Sequence, residues 1–218
     1  MNKRSRQLKI LITAGPTRER IDPVRFISNY STGRMGYEVA SMAAARSHSV
    51  VLVSGPGCLE KPRGIKTISV ESALDMRAAV LREFRSCDAL VMTAAVCDFR
   101  PKVEAKKKIK KFPSAKIIKL VENPDILLEA GRRKGKRIAA GFALETESLE
   151  ENARKKLKEK GLDFIVANRI SKGARIFGDT RADYLIIDKF GRIENFRRYS
   201  KKGLAGAIID KVEGLCYS

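Results

Sequence analysis

The side chains best placed for chemistry in this 218-residue chain are amines and small polar groups at the ends of apolar runs. Ser31-Thr32-Gly33 stands at the mouth of a helical stretch, where free N–H groups and the helix dipole favour an anion. The same residues also suit a simple N-cap, and spacing alone leaves both readings open. Asp98 follows an apolar run, where a carboxylate can accept ribose hydroxyls, help hold a metal or cap a turn. Lys102 to Lys119 holds eight Lys against Glu104 alone, as a solvated loop or a flap over an anionic ligand would. Lys156 and Lys160, four apart on a predicted helix, can reach one anion together or form a solvated face. Phe142 ends an apolar run and suits either a nucleotide base or the core. Cys58, Cys87, Cys97 and Cys216 are widely spaced and His48 is the single histidine, which excludes zinc spacing and a disulfide framework in favour of reduced thiols.

These residues need a scaffold, and the apolar runs supply one. Strands are predicted at 8–13, 50–53, 65–70, 89–92, 116–120, 137–142, 163–167 and 183–188. Helices are predicted at 34–46, 71–85, 124–133, 146–160 and 201–215. Their alternation implies one Rossmann-like α/β domain over 1–218, a three-layer parallel sheet interrupted by a Lys-rich flap at about 99–115. The stretch from Ala14 to Gly36 reads as a long connection without elements of its own, a length that is usually functional. It carries neither GxGxxG nor a Walker A loop. Hydrophobic residues make up 44% of the chain, enough for a core and too many for a disordered basic tail. Lys and Arg number 45 against 25 Asp and Glu, a formal charge of +20. That charge suits a nucleic acid or a small polyanion equally.

Read whole, ITAGPTRERIDPVRFISNYSTGRMG closely resembles the phosphopantothenoylcysteine synthetase family, the ligases of coenzyme A biosynthesis. Ala94-Ala95-Val96-Cys97-Asp98-Phe99-Arg100-Pro101, Lys108-Ile109-Lys110-Lys111, Asn123-Pro124-Asp125-Ile126, Gly141-Phe142-Ala143-Leu144-Glu145-Thr146 and Ala167-Asn168 follow in the family's order. The likeness covers roughly residues 8–190. It implies that 4′-phosphopantothenate attacks a nucleoside triphosphate, CTP before ATP, with Mg²⁺, and that L-cysteine then takes the acyl group. Carried over by position, the resemblance assigns catalysis to Asn29 and Lys108. It assigns nucleotide binding to Met92, Thr93, Ala94, Asp98, Lys108, Pro124, Asp125, Ile126, Leu127, Phe142, Lys156 and Lys160. Gly15, Ser31, Thr32, Gly33, Arg34, Gly36, Ala95 and Asn168 fall to phosphopantothenate and its phosphate, with Gly33 and Gly36 letting backbone approach the substrate. Metal ligands are not assigned. Tyr30, Leu144 and Arg169 depart from the commoner family residues.

The family's ligase is often the C-terminal half of a flavoprotein, and this chain starts close to the ligase's first strand. No flavin is therefore expected, and a separate flavin-dependent decarboxylase is a candidate partner. A homodimer is expected, with the part from about 170 contributing. Without a signal peptide or an apolar run of membrane length, the expected location is cytoplasmic. Two rival readings fare worse. An NAD(P)-binding Rossmann oxidoreductase of the short-chain type wants a Lys four residues after a Tyr, which Tyr37 and Tyr199 both lack. A nucleic-acid-binding α/β protein rests on charge alone, without zinc-finger spacing or an RNP aromatic signature.

Overall fold

The computed structural model describes residues 6–111, 117–145, 147–169 and 181–217. The predicted flap beyond 111, residue 116 of the predicted 116–120 strand, residue 146 and the start of the C-terminal part from about 170 lie outside them.

An eight-stranded sheet is built from β1 (Lys9–Ala14), β4 (Ser49–Ser54), β5 (Lys66–Ser69), β6 (Ala89–Met92), β9 (Ile138–Glu145), β10 (Phe164–Arg169), β11 (Ala182–Asp188) and β12 (Ile193–Tyr199). The spatial order is β12-β11-β10-β9-β6-β1-β4-β5. The six strands from β5 to β10 are parallel, and β11 and β12 join antiparallel. The expectation of an all-parallel sheet is corrected there, and β12 is an addition. Its residues are almost all exposed, so no buried face imprints a period on its sequence.

Helices cover both faces. α1 (Arg34–Ala45) and α5 (Lys201–Cys216) pack on the side of Ile10, Ile12, Val91, Phe164 and Val166. α2 (Ala73–Phe84), α3 (Ile126–Arg132) and α4 (Leu149–Glu159) pack on the side of Leu11, Val51, Leu90, Ile165 and Ile187. Alternate residues of the same strands thus feed two cores, which gives the predicted three layers and explains why the central strands read as unbroken apolar runs. Among the described residues no helix is long and apolar enough to cross a membrane.

Two small hairpins rise from the sheet. β2 (Arg18–Arg20) pairs antiparallel with β3 (Phe26–Ser28) inside the stretch expected to be structureless. β7 (Phe99–Pro101) pairs with β8 (Leu120–Glu122) across the base of the flap, so the strand expected at 116–120 lies slightly later and outside the main sheet.

The end of the sheet away from the site is tied by a buried charge. Asp163, 2% exposed, accepts from Ala139 N–H and from the ammonium groups of Lys134 and Lys189. Burial alone would raise its pKa, but the two ammonium groups and the amide outweigh it and hold the carboxyl below its ordinary value. A depressed folded pKa stabilises above the unfolded value, near ~4, and that stabilisation is lost as pH falls through the folded value. Asp163→Ala should therefore cost about 2 kcal/mol in urea unfolding at pH 7, because both ammonium groups can rehydrate. The difference from wild type should shrink below about pH 4. An undiminished difference in acid would overturn this account.

Candidate active site

In open α/β sheets the ligand crevice lies where successive connections leave a strand in opposite directions. Here that place is between β1 and β6, since β1 leads through α1 to β4 on one side while β6 lies on the other. Their pairing continues past the sheet. Ala95 N–H donates to the Gly15 carbonyl at 3.0 Å, Thr17 N–H donates to the Ala95 carbonyl at 3.3 Å, and Pro16 and Ala95 form a bridge. Two threonines brace this exit: Thr13 Oγ1 accepts from Ala94 N–H at 3.1 Å, and Thr93 Oγ1 donates to the Thr13 carbonyl at 2.6 Å.

Two clefts open on either side. The first, about 370 Å³, is lined by Met92, Ala94, Asp98, Pro124, Asp125, Ile126, Leu127, Phe142, Lys156 and Lys160 of the predicted nucleotide set. The second, about 220 Å³, is lined by Ser31, Thr32, Gly33, Arg34, Gly36, Ala95 and Asn168 of the predicted phosphopantothenate set, together with Thr93. Ala94 and Phe142 belong to both walls. Phe142 is half-buried, lines both clefts and also packs on the core beneath α1, which agrees with its core reading. Gly15 lines neither cleft and serves the β1 exit through its carbonyl.

The mouth of α1 is open in an unusual way. Its N-cap is Gly33 at φ 79°, a left-handed conformation that glycine adopts without strain, and no side chain caps the helix. Ser31 and Thr32 instead accept long bonds from Gly33 N–H (3.3 Å) and Arg34 N–H (3.4 Å), so neither is the N-cap. Gly36 lines the second cleft and is also required by the packing of α1. A Cβ there would lie 2.6 Å from both the Ala14 Cβ and Thr93 Oγ1, so its absence lets α1 sit on the strand ends.

The first cleft carries paired charges. Lys156 Nζ contacts Glu145 Oε1 at 2.6 Å, and Lys160 Nζ contacts Asp125 Oδ2 at 2.8 Å. Asp125 is also the N-cap of α3, accepting from Leu128 N–H at 2.9 Å. An anion in this cleft therefore competes with carboxylates for both lysines. Asn123 Nδ2 donates to the Cys97 carbonyl and its Oδ1 accepts from Arg100, which joins the approach to α3 to the base of the flap. Asp98 is exposed at the cleft. Among the described residues there is no group of three or more His, Cys, Asp or Glu able to hold a metal.

The hairpin β2–β3 returns Asn29 to the β6 exit, where its Nδ2 donates to the Ala95 carbonyl at 2.9 Å and approaches Cys97 Sγ at 3.7 Å. Lys108 lies elsewhere, in a groove with Ile21, Arg25, Ile109, Lys110, Lys111 and Ile118 rather than on the wall of either cleft. Sequence reasoning missed Tyr184 and Lys201, which line the second cleft from β11 and from the first residue of α5. No local motif marks them. It also left out Asn123, although the Asn-Pro-Asp-Ile segment carried that signal.

Residues 5–215 match the family described as the DNA/pantothenate metabolism flavoprotein C-terminal domain. The chain belongs to this family. It is 42% identical over 207 residues to the coenzyme A biosynthesis bifunctional protein CoaBC of Bacillus subtilis, covering 94% of this chain and 51% of that protein. It is 40% identical over 212 residues to CoaBC of Escherichia coli K12, covering 95% and 52%. A protein named cysteine/cysteine sulfinic acid decarboxylase, from an unknown prokaryotic organism, is 44% identical over 206 residues, covering 94% and 57%. The chain thus spans about half the length of the curated relatives it matches. A crystal structure of the C-terminal domain of CoaBC superposes with a TM-score of 0.84 at 39% identity, covering 98% of both chains. A Cab2 mutant in complex with phosphopantothenate-cysteine shares the fold, with a TM-score of 0.77 at 16% identity over 96% of this chain and 88% of that one. This chain therefore carries the C-terminal domain found in bifunctional proteins of coenzyme A biosynthesis.

The four thiols differ in exposure and in how far burial raises their pKa. Cys97 lines the first cleft, but burial, helped by Glu19 and Asp98, raises its pKa against the opposing effect of Thr17. Burial pushes Cys87 and Cys216 up to about 11. Cys58 is exposed. Iodoacetamide at pH 7.5 should modify Cys58 well before the other three, as read by peptide mass spectrometry. Earlier labelling of Cys97 would show its thiolate to be accessible at the cleft.

Proposed function

We propose that this domain is a phosphopantothenate–cysteine ligase that works through an acyl-nucleotide, with CTP as the preferred triphosphate. One observation carries the reading: two clefts, one edged by lysines and one by an uncapped helix mouth, share a wall at Ala94 and Phe142. A ligase that joins an acyl phosphate acceptor to a nucleotide needs two anionic ligands held end to end, and proximity is a large part of its catalysis. The nucleotide occupies the first cleft, its phosphates drawing Lys156 and Lys160 from Glu145 and Asp125. The phosphate of 4′-phosphopantothenate sits at the mouth of α1, where the first-turn N–H groups, held only by long bonds to Ser31 and Thr32 or left to a ligand, and the helix dipole favour it, with Arg34 at the rim.

The pantothenate carboxylate then attacks the α-phosphorus, the bond to the β-phosphate oxygen breaks, and pyrophosphate leaves. The amine of L-cysteine next attacks the acyl carbon, loses a proton and expels the nucleoside monophosphate. Lys108 neutralises charge on the triphosphate in the first step, its side chain swinging from its groove toward the first cleft about a flap backbone held at Ile109. Asn29, with its N–H held by Ala95, presents its amide oxygen to the acyl-nucleotide in the second. The donor set fits magnesium arriving on the triphosphate rather than a resident metal, and the ion supplies charge neutralisation there. A flavin-dependent decarboxylase would consume the product, and cytoplasmic coenzyme A synthesis is the setting this implies.

Purified protein given 4′-phosphopantothenate, L-cysteine, Mg²⁺ and CTP should release pyrophosphate and form 4′-phosphopantothenoylcysteine, faster than with ATP. No release with any triphosphate would reject the ligase reading. Lys108→Ala should lose about 2–4 kcal/mol of transition-state stabilisation in the first step. Asn29→Asp should still release pyrophosphate from phosphopantothenate but form little amide, and normal amide formation would remove Asn29 from the second step.

A further inference from the structure

We propose that Asp22 is a positioning residue for Lys108, which it holds in place by clasping the flap's backbone at the next residue, Ile109. The inference rests on the proposed role of Lys108. The Asp22 carboxylate is 1% exposed and serves two segments at once. Its Oδ1 accepts from Val24 N–H and Arg25 N–H, both at 2.9 Å, which closes its own turn at the tip of the β2–β3 hairpin. Its Oδ2 faces away from that turn and accepts from Ile109 N–H at 3.0 Å and from the Arg25 guanidinium. The same guanidinium donates to the Ile109 carbonyl at 2.9 Å. Both backbone groups of Ile109 are thus bound by one buried ion pair, which stands in for a neighbouring strand. Ala105 N–H, donating to the Ile21 carbonyl at 3.0 Å, fixes the flap to the same turn at a second point.

A carboxylate that only closed its turn would need Oδ1 alone. The second oxygen is aimed at a segment more than eighty residues away, and the segment it meets is the one where order is hardest to keep. Lys102, Lys106, Lys107, Lys108, Lys110 and Lys111 repel one another, and charged segments of this kind extend and fluctuate. The clasp grips backbone rather than ammonium groups, so it orders the flap without using up the charge that an anionic ligand needs. Arg25 holds the Asp22 carboxyl far below the usual carboxylate range, so the clasp stays ionised throughout the neutral range. Lys108 adjoins Ile109 in the chain, so its reach is set by where Ile109 is held.

The test is Asp22→Asn, whose shape is unchanged but whose single amide oxygen can accept either from the turn amides of Val24 and Arg25 or from Ile109 N–H and the guanidinium, while its NH2 opposes donors on the other side. Amide hydrogen exchange over residues 102–111 should speed up, and trypsin should cut at the flap lysines faster than in wild type, with the main sheet still protected. In the pyrophosphate-release assay kcat should fall up to about 100-fold while KM for L-cysteine stays within about twofold, since a misplacement of an ångström can cost that much. In a Lys108→Ala background the same substitution should add less than about twofold, because a residue acting through Lys108 has nothing left to position. Unchanged exchange and proteolysis, or a full multiplicative effect in the double variant, would overturn the proposal. Should Asp22→Asn fail to fold, Ile109→Pro leaves Asp22 and its turn intact, removes the flap's N–H donor and should produce the same trypsin sensitivity. If wild type releases no pyrophosphate, the ligase reading fails, and the exchange and trypsin results still decide whether Asp22 holds the flap.

Discussion

The pairing of β1 with β6 outlasts the sheet that contains it, and the geometry of the site follows from that overrun. Hydrogen bonds between Gly15, Thr17 and Ala95 keep the two chains side by side after their strands end. The hydroxyls of Thr13, buried, and Thr93, half-buried, hold the same exit from below. Because the two exits are fixed, the segments hung from them have fixed places: Asn29 against the Ala95 carbonyl, the mouth of α1 beside Thr93, and the base of the flap after Cys97. A crevice at a strand-order reversal is a general property of such sheets. Here it is divided into two compartments by Ala94, which follows β6, and Phe142, within β9.

Charge is distributed by function in part. The lysines at the first cleft are each paired locally, Lys156 with Glu145 and Lys160 with Asp125, so they are held in place by carboxylates of the same wall. The flap follows a different rule, concentrating like charges and relying on a carboxylate bound to its backbone. At the far end of the sheet, Lys134, Lys189 and Lys211 serve Asp163 and Asp188 and are structural. The formal +20 is therefore a sum of separate arrangements rather than a single surface, and much of it has no role that the geometry explains.

The parts legible in the sequence were those whose determinants are local. β1, β4 and β6 are apolar runs because both of their faces are covered, and α2 announces itself with Ser72 and Asp75 in a capping box. Ten of the twelve residues expected on the nucleotide side line one cleft, many of them in short segments directly after strands, whereas Thr93 lines the second cleft and Lys108 neither. The hairpin β2–β3 escaped notice since three-residue strands are too short to show a period. The reversal at β11 and β12 escaped too, because strand direction is decided by connections and not by residue pattern. Tyr184 and Lys201 reach the second cleft only through that reversal, so nothing near them in the chain could have flagged them.

Two successive reversals, from β10 to β11 and from β11 to β12, restore the original strand direction. α5 therefore begins at the same edge of the sheet as α1, and Ser200 caps it where Lys201 can close the second cleft. As the chain emerges from a ribosome, one wall of that cleft is complete by Gly36, and the opposite wall waits for residues near the end. The first cleft needs nothing beyond Lys160. During synthesis the two compartments are therefore finished in sequence, and the one proposed for the nucleotide takes shape while the other still lacks its last side.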